Sequence, residues 1–331
     1  MPHFTPRKLL PFAGRMIASG TPGRRNDPIA GLIWVTLSMA LLAGLGMFGK
    51  YASQAGLHPF QVVFFRNLFC VVLMLPLLAW RGRSLIRTDQ LHLYGLRVTL
   101  SMIGMNSWFL ALAMIPLTEI TAISFLAPLF GTLCAVLFLG EVVRGRRWTA
   151  LIVGFLGAMV ILRPGSGTVD TGHMLALLSA CIMGIVGPLV KQLTATDDAD
   201  RIVFLTNLIM TPLSLVPALF VWVSPPLSLW PVLIGMGACA VLGHITLVRG
   251  FSSTDASLVF TFEFSRLPFA ALIGWLVFAE QTDLMTWVGA LIIFGSALYI
   301  TQREAQIRKG AAQVSASKAG NPLAMTPLNR E

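Results

Sequence analysis

The run PLFGTLCAVLFLGE, Pro128 to Glu141, has a second copy later in the chain, RLPFAALIGWLVFAE, Arg266 to Glu280. Shifted by 139 residues, Phe130 falls on Phe269, Leu133 on Leu272, Leu137 on Leu276 and Glu141 on Glu280. The match extends outward: Phe125 falls on Phe264, Trp148 on Trp287, Phe155 on Phe294 and Ala158 on Ala297. Earlier in each half the offset becomes 140 or 141, and Ser38 meets Ser179, Lys50 meets Lys191, Val63-Phe64 meets Val203-Phe204 and Asn67 meets Asn207. Apolar coincidences are common between two greasy segments. A Glu followed by a Trp at the same spacing in both copies is not.

Both copies sit in an apolar chain. Of 331 residues, 56% are hydrophobic and 11% charged, with a mean hydropathy of +0.77; a soluble domain carries roughly 25% charged residues. So few charges cannot cover a water-facing surface, and lipid is the expected solvent. The net charge of +10 raises the question of nucleic acid, because basic chains bind phosphates. Position answers it: most Lys and Arg lie in short loops and tails, so no nucleic acid partner is expected. Cys70, Cys134, Cys181 and Cys239 lie inside apolar runs at spacings that suit neither a zinc site nor a disulfide framework.

A bilayer core of about 30 Å needs roughly 20 apolar residues in a helix. Ten stretches qualify: 29–49, 60–80, 93–114, 120–140, 148–163, 171–190, 202–223, 229–248, 256–279 and 284–301. The positive-inside rule tests this count independently. Nineteen of the 24 Lys and Arg fall on one set of alternating segments, Lys50 and Arg163 on the other, and Arg66, Arg97 and Arg266 inside spans. The expected topology is therefore ten spans with both termini in the cytoplasm of a bacterial inner-membrane protein. Residues 1–28 read as a basic cytoplasmic tail without a signal-peptide cleavage pattern, and 303–331 as a disordered cytoplasmic tail. Between them lie two units, 29–163 and 171–302, of five spans each. Five is odd, so the second copy enters the membrane with opposite orientation. Inverted repeats are a signature of alternating-access carriers, whose substrate site lies near the midplane between the copies.

Five plus five spans, the PLFGTLCAVLFLGE run, its partner followed by TWVGALIIFGSALYI (Thr286 to Ile300), and HPFQVVFFRN (His58 to Asn67) opening the second span resemble the drug/metabolite transporter superfamily, EamA type. The resemblance covers residues 29 to 302. It implies an all-α integral membrane fold of ten transmembrane helices in two inverted five-helix repeats, and secondary transport of small organic solutes without ATP, with a lean toward export. It names no cargo: amino-acid-like, S-adenosylmethionine-like, vitamin and drug-like solutes all occur in the superfamily. Uptake or exchange of a nucleoside- or flavin-like solute is the alternative, and a non-transport membrane scaffold is the rival from another class.

Charge inside a membrane costs on the order of 3 kcal/mol by insertion scales, so each ionisable group there needs a reason. Arg66 lies six residues into the second span, about 9 Å deep; it reads as a fixed cation lining a cavity, or as a structural tie to backbone carbonyls or Glu119. Glu263 and Arg266, three apart in the ninth span, are expected on one helix face, either as a self-neutralising pair or as a site where Arg266 holds a carboxylate or phosphate and Glu263 meets an amine or proton. The resemblance also implies an acidic residue three before an Arg at this place. Asn67, Asn106 and Asn207 orient a ligand or bridge helices. Glu119 and His244 are candidates for proton coupling. Glu141 and Glu280, repeated at span ends, read as caps and anchors.

Trp34, Phe64, Phe65, Trp108, Phe262, Phe264 and Trp275 fall within spans, and a subset beside Arg66 or Arg266 would stack a planar solute. Pro128 and Pro268 occupy nearly equivalent places, while Pro188 and Pro212 are expected to interrupt other spans. The pairs Gly154/Gly157 and Gly184/Gly187 suit close helix packing. Gly44 to Lys50, GLGMFGK, fits seven places of a phosphate-binding loop, but Tyr51 stands where Ser or Thr is needed and no strand precedes it. No convergent set of nucleophile, base or metal ligands supports an enzyme, and no cofactor is expected. The expected substrate-binding set is Arg66, Asn67, Asn106, Glu263 and Arg266. The expected partners are a small-molecule substrate and the lipid bilayer, with a coupling proton, an exchange substrate and a second copy of the chain as further candidates.

Overall fold

The computed structural model describes residues 28–127, 129–131, 133, 145–162, 170–193, 196–253, 263, 265–296, 298–299, 302 and 306. The N-terminal tail, Pro128, Glu141, Phe262, Phe264 and nearly all of the 303–331 tail, each given a part above, lie outside the described residues. Among those described, every regular element is helical. The helices are α1 (Pro28–Gln54), α2 (Pro59–Arg81), α3 (Leu91–Met114), α4 (Leu117–Ser124), α5 (Gly145–Leu162), α6 (Thr171–Leu193), α7 (Ala199–Phe220), α8 (Trp230–Ser253), α9 (Arg266–Phe278) and α10 (Leu284–Ser296). Each lies on one of the ten expected spans. α1, α2, α3, α7 and α8 contain stretches long and apolar enough to cross a bilayer by themselves; the others are shorter apolar helices.

The local chemistry explains the starts and turns. Before α2, the His58 ring accepts from the Phe60 amide at 3.3 Å, and Pro59 opens the helix with its preset φ. After α9, Ala279 turns left-handed at φ 54°, and the Glu280 amide then bonds Gly274 O at 2.9 Å. The expected interruptions at Pro188 and Pro212 are absent: α6 and α7 run unbroken through both. Membrane helices tolerate proline because nearby hydroxyls satisfy backbone groups. The carbonyl freed by Pro212 is that of Leu208; the hydroxyls beside it bond other carbonyls, Thr211 Oγ1 to Asn207 O at 2.7 Å and Ser214 Oγ to Thr211 O at 3.0 Å.

The packing repeats itself in the two copies. α1 lies along α8, and the equivalent pair, α6 and α3, lies together in the same way. α2 faces its own counterpart α7, α4 faces α9, α1 meets α9 and α6 meets α4. One pair of glycines makes the relation concrete. A Cβ on Gly243 would strike Leu42 Cδ2 at 2.9 Å with Leu41 behind it; one on Gly104, 139 residues earlier, would strike Met183 Cε at 2.8 Å and Ile182 at 3.1 Å. Leu41-Leu42 and Ile182-Met183 are themselves 141 residues apart. Both contacts need a residue without a side chain to let the helices close. Ser38 Oγ, donating to Gly243 O at 2.7 Å, fastens the α1–α8 seam. Gly157 approaches the Gly289 carbonyl and Gly184 the backbone of Ala127 and Gly131, as close packing requires, whereas Gly187 faces open space.

The outside of the bundle is apolar. Ile29, Ile33 and Leu37 recur along one face of α1, Leu213, Val216 and Phe220 along α7, and Leu272, Trp275 and Leu276 along α9, all exposed. Such a surface needs lipid around it.

Candidate substrate-binding site

α2 and α7 run antiparallel, fastened at both ends. Gln61 Nε2 donates to Val223 O at 2.8 Å at one end, and Arg81 pairs with Asp200 at 3.1 Å at the other, the end that also carries Arg87 and Arg201. Between these fastenings Arg66 reaches from the first repeat into the second. Its Nη1 donates to the side-chain oxygens of Asn67, at 2.9 Å, and Asn207, at 2.8 Å. Among the described residues neither structural tie considered from sequence is made: the partners are two amides. Asn207 lies eight residues from the start of α7 and thirteen from its end, about 12 and 20 Å at 1.5 Å per residue. The guanidinium therefore sits well inside the bundle. The network continues as Asn67 Nδ2 to Ser214 Oγ at 3.4 Å and Asn207 Nδ2 to Val203 O at 2.7 Å.

Arg97, on α3, joins the same place. Its Nη1 donates to Thr206 Oγ1 at 2.6 Å, and Thr206 is the neighbour of Asn207 on α7. Arg266 arrives from α9. Its guanidinium lies 5.8 Å from the centre of the Trp108 ring, within cation–π range, and its Nη2 reaches Leu42 O at 3.5 Å. The indole is held in turn by Ser124 Oγ at 3.2 Å. Glu263 lies within electrostatic reach of Arg266. Ser265, at the N-cap of α9, has right-handed helical backbone (φ −60°, ψ −14°), and residue 264 beside it lies outside the described residues. Asn106 donates to its own helix at Met102 O, 2.9 Å away, and its buried Oδ1 has no partner among the described residues.

His244 lies among these groups. Its Nδ1 meets Ala240 O at 2.6 Å; a carbonyl can only accept, so Nδ1 carries the proton and Nε2 presents a lone pair in the neutral ring. The charged neighbours that act on it are Arg66, Arg97 and Arg266. Arg66 and Asn67 are bonded to each other, Arg66, Arg97 and Arg266 lie within electrostatic reach of His244, and Glu263 within reach of Arg266. Glu119 is engaged elsewhere. Its Oε2 meets His173 Nε2 at 3.0 Å, and His173 Nδ1 meets Asp170 Oδ1 at 2.8 Å, a chain that ties the start of α4 to the start of α6.

Three polar clusters escaped the sequence reading. Arg97 was counted inside a span but given no partner. Lys50, counted as a loop residue, lies inside α1 and is buried; it pairs with Glu280 and donates to Ile115 O at 2.7 Å, while Glu280 Oε2 accepts the Leu117 amide at 2.9 Å. The signal was present, because Lys50 and Glu280 each have a counterpart in the repeat. Asp197, in the α6–α7 loop, accepts from Thr88 at 2.8 Å, Tyr94 at 2.9 Å and Arg201 at 2.9 Å. Its burial works to raise the carboxyl pKa, but these donors outweigh it and hold the group below the ordinary carboxylate value.

Comparison with known proteins places this geometry in context. The model of the EamA-like transporter family matches residues 29–163 and again 170–302. The riboflavin transporter of Vibrio cholerae is 34% identical over 284 residues, covering 85% of this chain and 95% of that protein. An S-adenosylmethionine uptake transporter of Rickettsia bellii is 29% identical, covering 83% and 94%. The pseudopaline exporter of Pseudomonas aeruginosa is 28% identical, covering 82% and 96%. One solved crystal structure shares the fold with a TM-score of 0.59 at 18% identity, over 84% of this chain and 98% of the other.

Proposed function

We propose, from the premise that this chain belongs to the EamA-like transporter family, that it carries a ring-bearing small metabolite across the bacterial inner membrane by alternating access. The observation that carries this reading is the Arg66–Asn207 bond, which crosses from one repeat to the other deep in the bundle, where inverted-repeat carriers bind their cargo. Arg66, Asn67 and Arg266 supply directed donors, Glu263 a carboxylate, and Trp108 a ring face beside Arg266. A planar solute with a polar end fits that set. Units 29–163 and 171–302 are the two moving bodies, with residues 1–28 and 303–331 as tails, and both termini face the cytoplasm beside the Arg81–Asp200 end.

Names of relatives point inward as well as outward: those similar to this chain include an S-adenosylmethionine uptake transporter and a pseudopaline exporter. A flavin- or S-adenosyl-type solute is the preferred cargo, because the 34% and 29% identical relatives bear those names, and uptake is preferred over export because the latter relative is named for uptake. His244 is the coupling-proton candidate that faces the site; Glu119 is committed to His173.

The test is thermal stabilisation of the purified protein by amino acids, S-adenosylmethionine, flavins, nucleosides and sugar acids, repeated on Arg266→Ala. Saturable stabilisation by one class, lost in the variant, is expected. Stabilisation that persists unchanged in both Arg66→Ala and Arg266→Ala removes the site from this position.

A further inference from the structure

Setting aside groups at span ends, the spans carry three arginines, Arg66, Arg97 and Arg266, and one carboxylate, Glu263. The three guanidinium groups come from α2, α3 and α9, yet they share a neighbourhood. Arg66 and Arg97 bond adjacent residues of α7, Asn207 and Thr206, and all three act electrostatically on His244.

Their partners do not balance their charge. Arg66 is held by two amide oxygens and Arg97 by a hydroxyl, which itself donates to Ile202 O at 2.6 Å. Among the described residues, only Arg266 has a carboxylate, Glu263, acting on it. The Nε of each of the three is buried and has no hydrogen-bond partner among the described residues. Neutral dipoles can orient a guanidinium, but they do not neutralise it, and an unneutralised cation at this depth is costly. Arginine donates in a rigid fork whose natural complement is a carboxylate or phosphate. Lys50, which is buried in α1, already has Glu280.

We infer that the cargo itself bears a carboxylate or phosphate group, bound by Arg66 and Arg97 from two sides, which makes Arg97 a substrate-binding residue. This rests on the carrier reading above and sharpens it. The solutes named for the relatives divide on this point: S-adenosylmethionine has a carboxylate, together with cationic groups that suit Glu263, whereas riboflavin has no ionised oxygen at neutral pH. The charge inventory selects the former kind of cargo.

The experiment measures equilibrium binding to the purified full-length protein with two matched pairs: S-adenosylmethionine against its decarboxylated form, and riboflavin 5′-phosphate against riboflavin. In at least one pair the oxyanion-bearing member binds at least tenfold more tightly. Arg97→Gln abolishes that preference, and Arg97→Lys, which keeps the charge but not the fork, retains part of it and reports on correct folding. The inference is overturned when an oxyanion-free member binds as tightly as its partner in both pairs, or when Arg97→Gln leaves the preference intact. An oxyanion-free member that binds as tightly as its partner in both pairs, with that binding lost in Arg66→Gln, would retain the carrier reading while removing the oxyanion. A wild-type protein that binds none of the four counts against the carrier reading itself, and the inference fails with it.

Discussion

Replacing Glu280 by Gln should destabilise the protein far more than its position after a helix end suggests. Lys50 and Glu280 keep 6% and 13% of their side-chain surface exposed, so their pairing is shielded from solvent. Glu280→Gln preserves an acceptor for the Leu117 amide, but it leaves the Lys50 ammonium with the Ile115 carbonyl at 2.7 Å and the Phe278 ring at 5.6 Å. Removing one partner of a buried pair leaves an uncompensated charge and costs about 3–5 kcal/mol. Lys50→Met leaves the Glu280 carboxylate with its Leu117 donor but without its cation, so its loss is of the same order, about 3–5 kcal/mol. The double variant Lys50→Met/Glu280→Gln buries no charge and recovers more than half of the Glu280→Gln loss. Equilibrium unfolding of all four proteins in one detergent, read as a double-mutant cycle, measures this directly. Additive effects, each below about 1 kcal/mol, would mean the pair behaves as an exposed one and would refute the reasoning.

Other substitutions test separate links. Asn207→Ala leaves Arg66 with Asn67 alone and should cost about 1.5–3 kcal/mol in the same unfolding assay, the value of a hydrogen bond to a charged group. Gly184→Ala places a methyl 2.6 Å from Ala127 O and Gly131 N, backbone atoms that cannot step aside, so folded protein should be lost on size-exclusion chromatography. Gly104→Ala meets the flexible end of Met183 and should cost only about 1–3 kcal/mol. Asp197 has a folded pKa below its unfolded value of about 3.9. Its stabilisation is therefore full above that value and is lost as the pH falls through the folded pKa. Asp197→Asn should be less stable than wild type at pH 7, and the difference in melting temperature should shrink once the pH drops below about 4.

The architecture was legible because two independent signals agreed. Apolar length located ten helices, and the basic residues sorted onto one set of loops. The Glu-Trp repeat then fixed the relation between the halves, which the Gly104 and Gly243 contacts reproduce in three dimensions. Single charges deep in spans were equally visible, since lipid makes each of them conspicuous: Arg66, Glu263 and Arg266 stood out for that reason. Their partners did not stand out. Asn207 is 141 residues from Arg66 and Thr206 is 109 from Arg97, and nothing in local spacing announces a contact across that distance. Lys50 was misplaced because hydropathy ends a span at the first charge, whereas the backbone continues to Gln54 and buries the charge against Glu280. Proline was over-read: a missing amide at Pro188 or Pro212 does not by itself break a helix packed inside a membrane bundle.

The central claim is that this chain is a carrier with a site at the Arg66 junction of its two repeats. Counterflow in proteoliposomes tests it most directly: vesicles loaded with unlabelled S-adenosylmethionine, and in parallel riboflavin, are diluted into a trace of the labelled solute. A carrier predicts transient accumulation of label above equilibrium for one of the two, saturating with concentration and abolished by Arg66→Ala in protein that still folds. Flux that neither saturates nor overshoots, or an overshoot untouched by Arg66→Ala, would contradict the account.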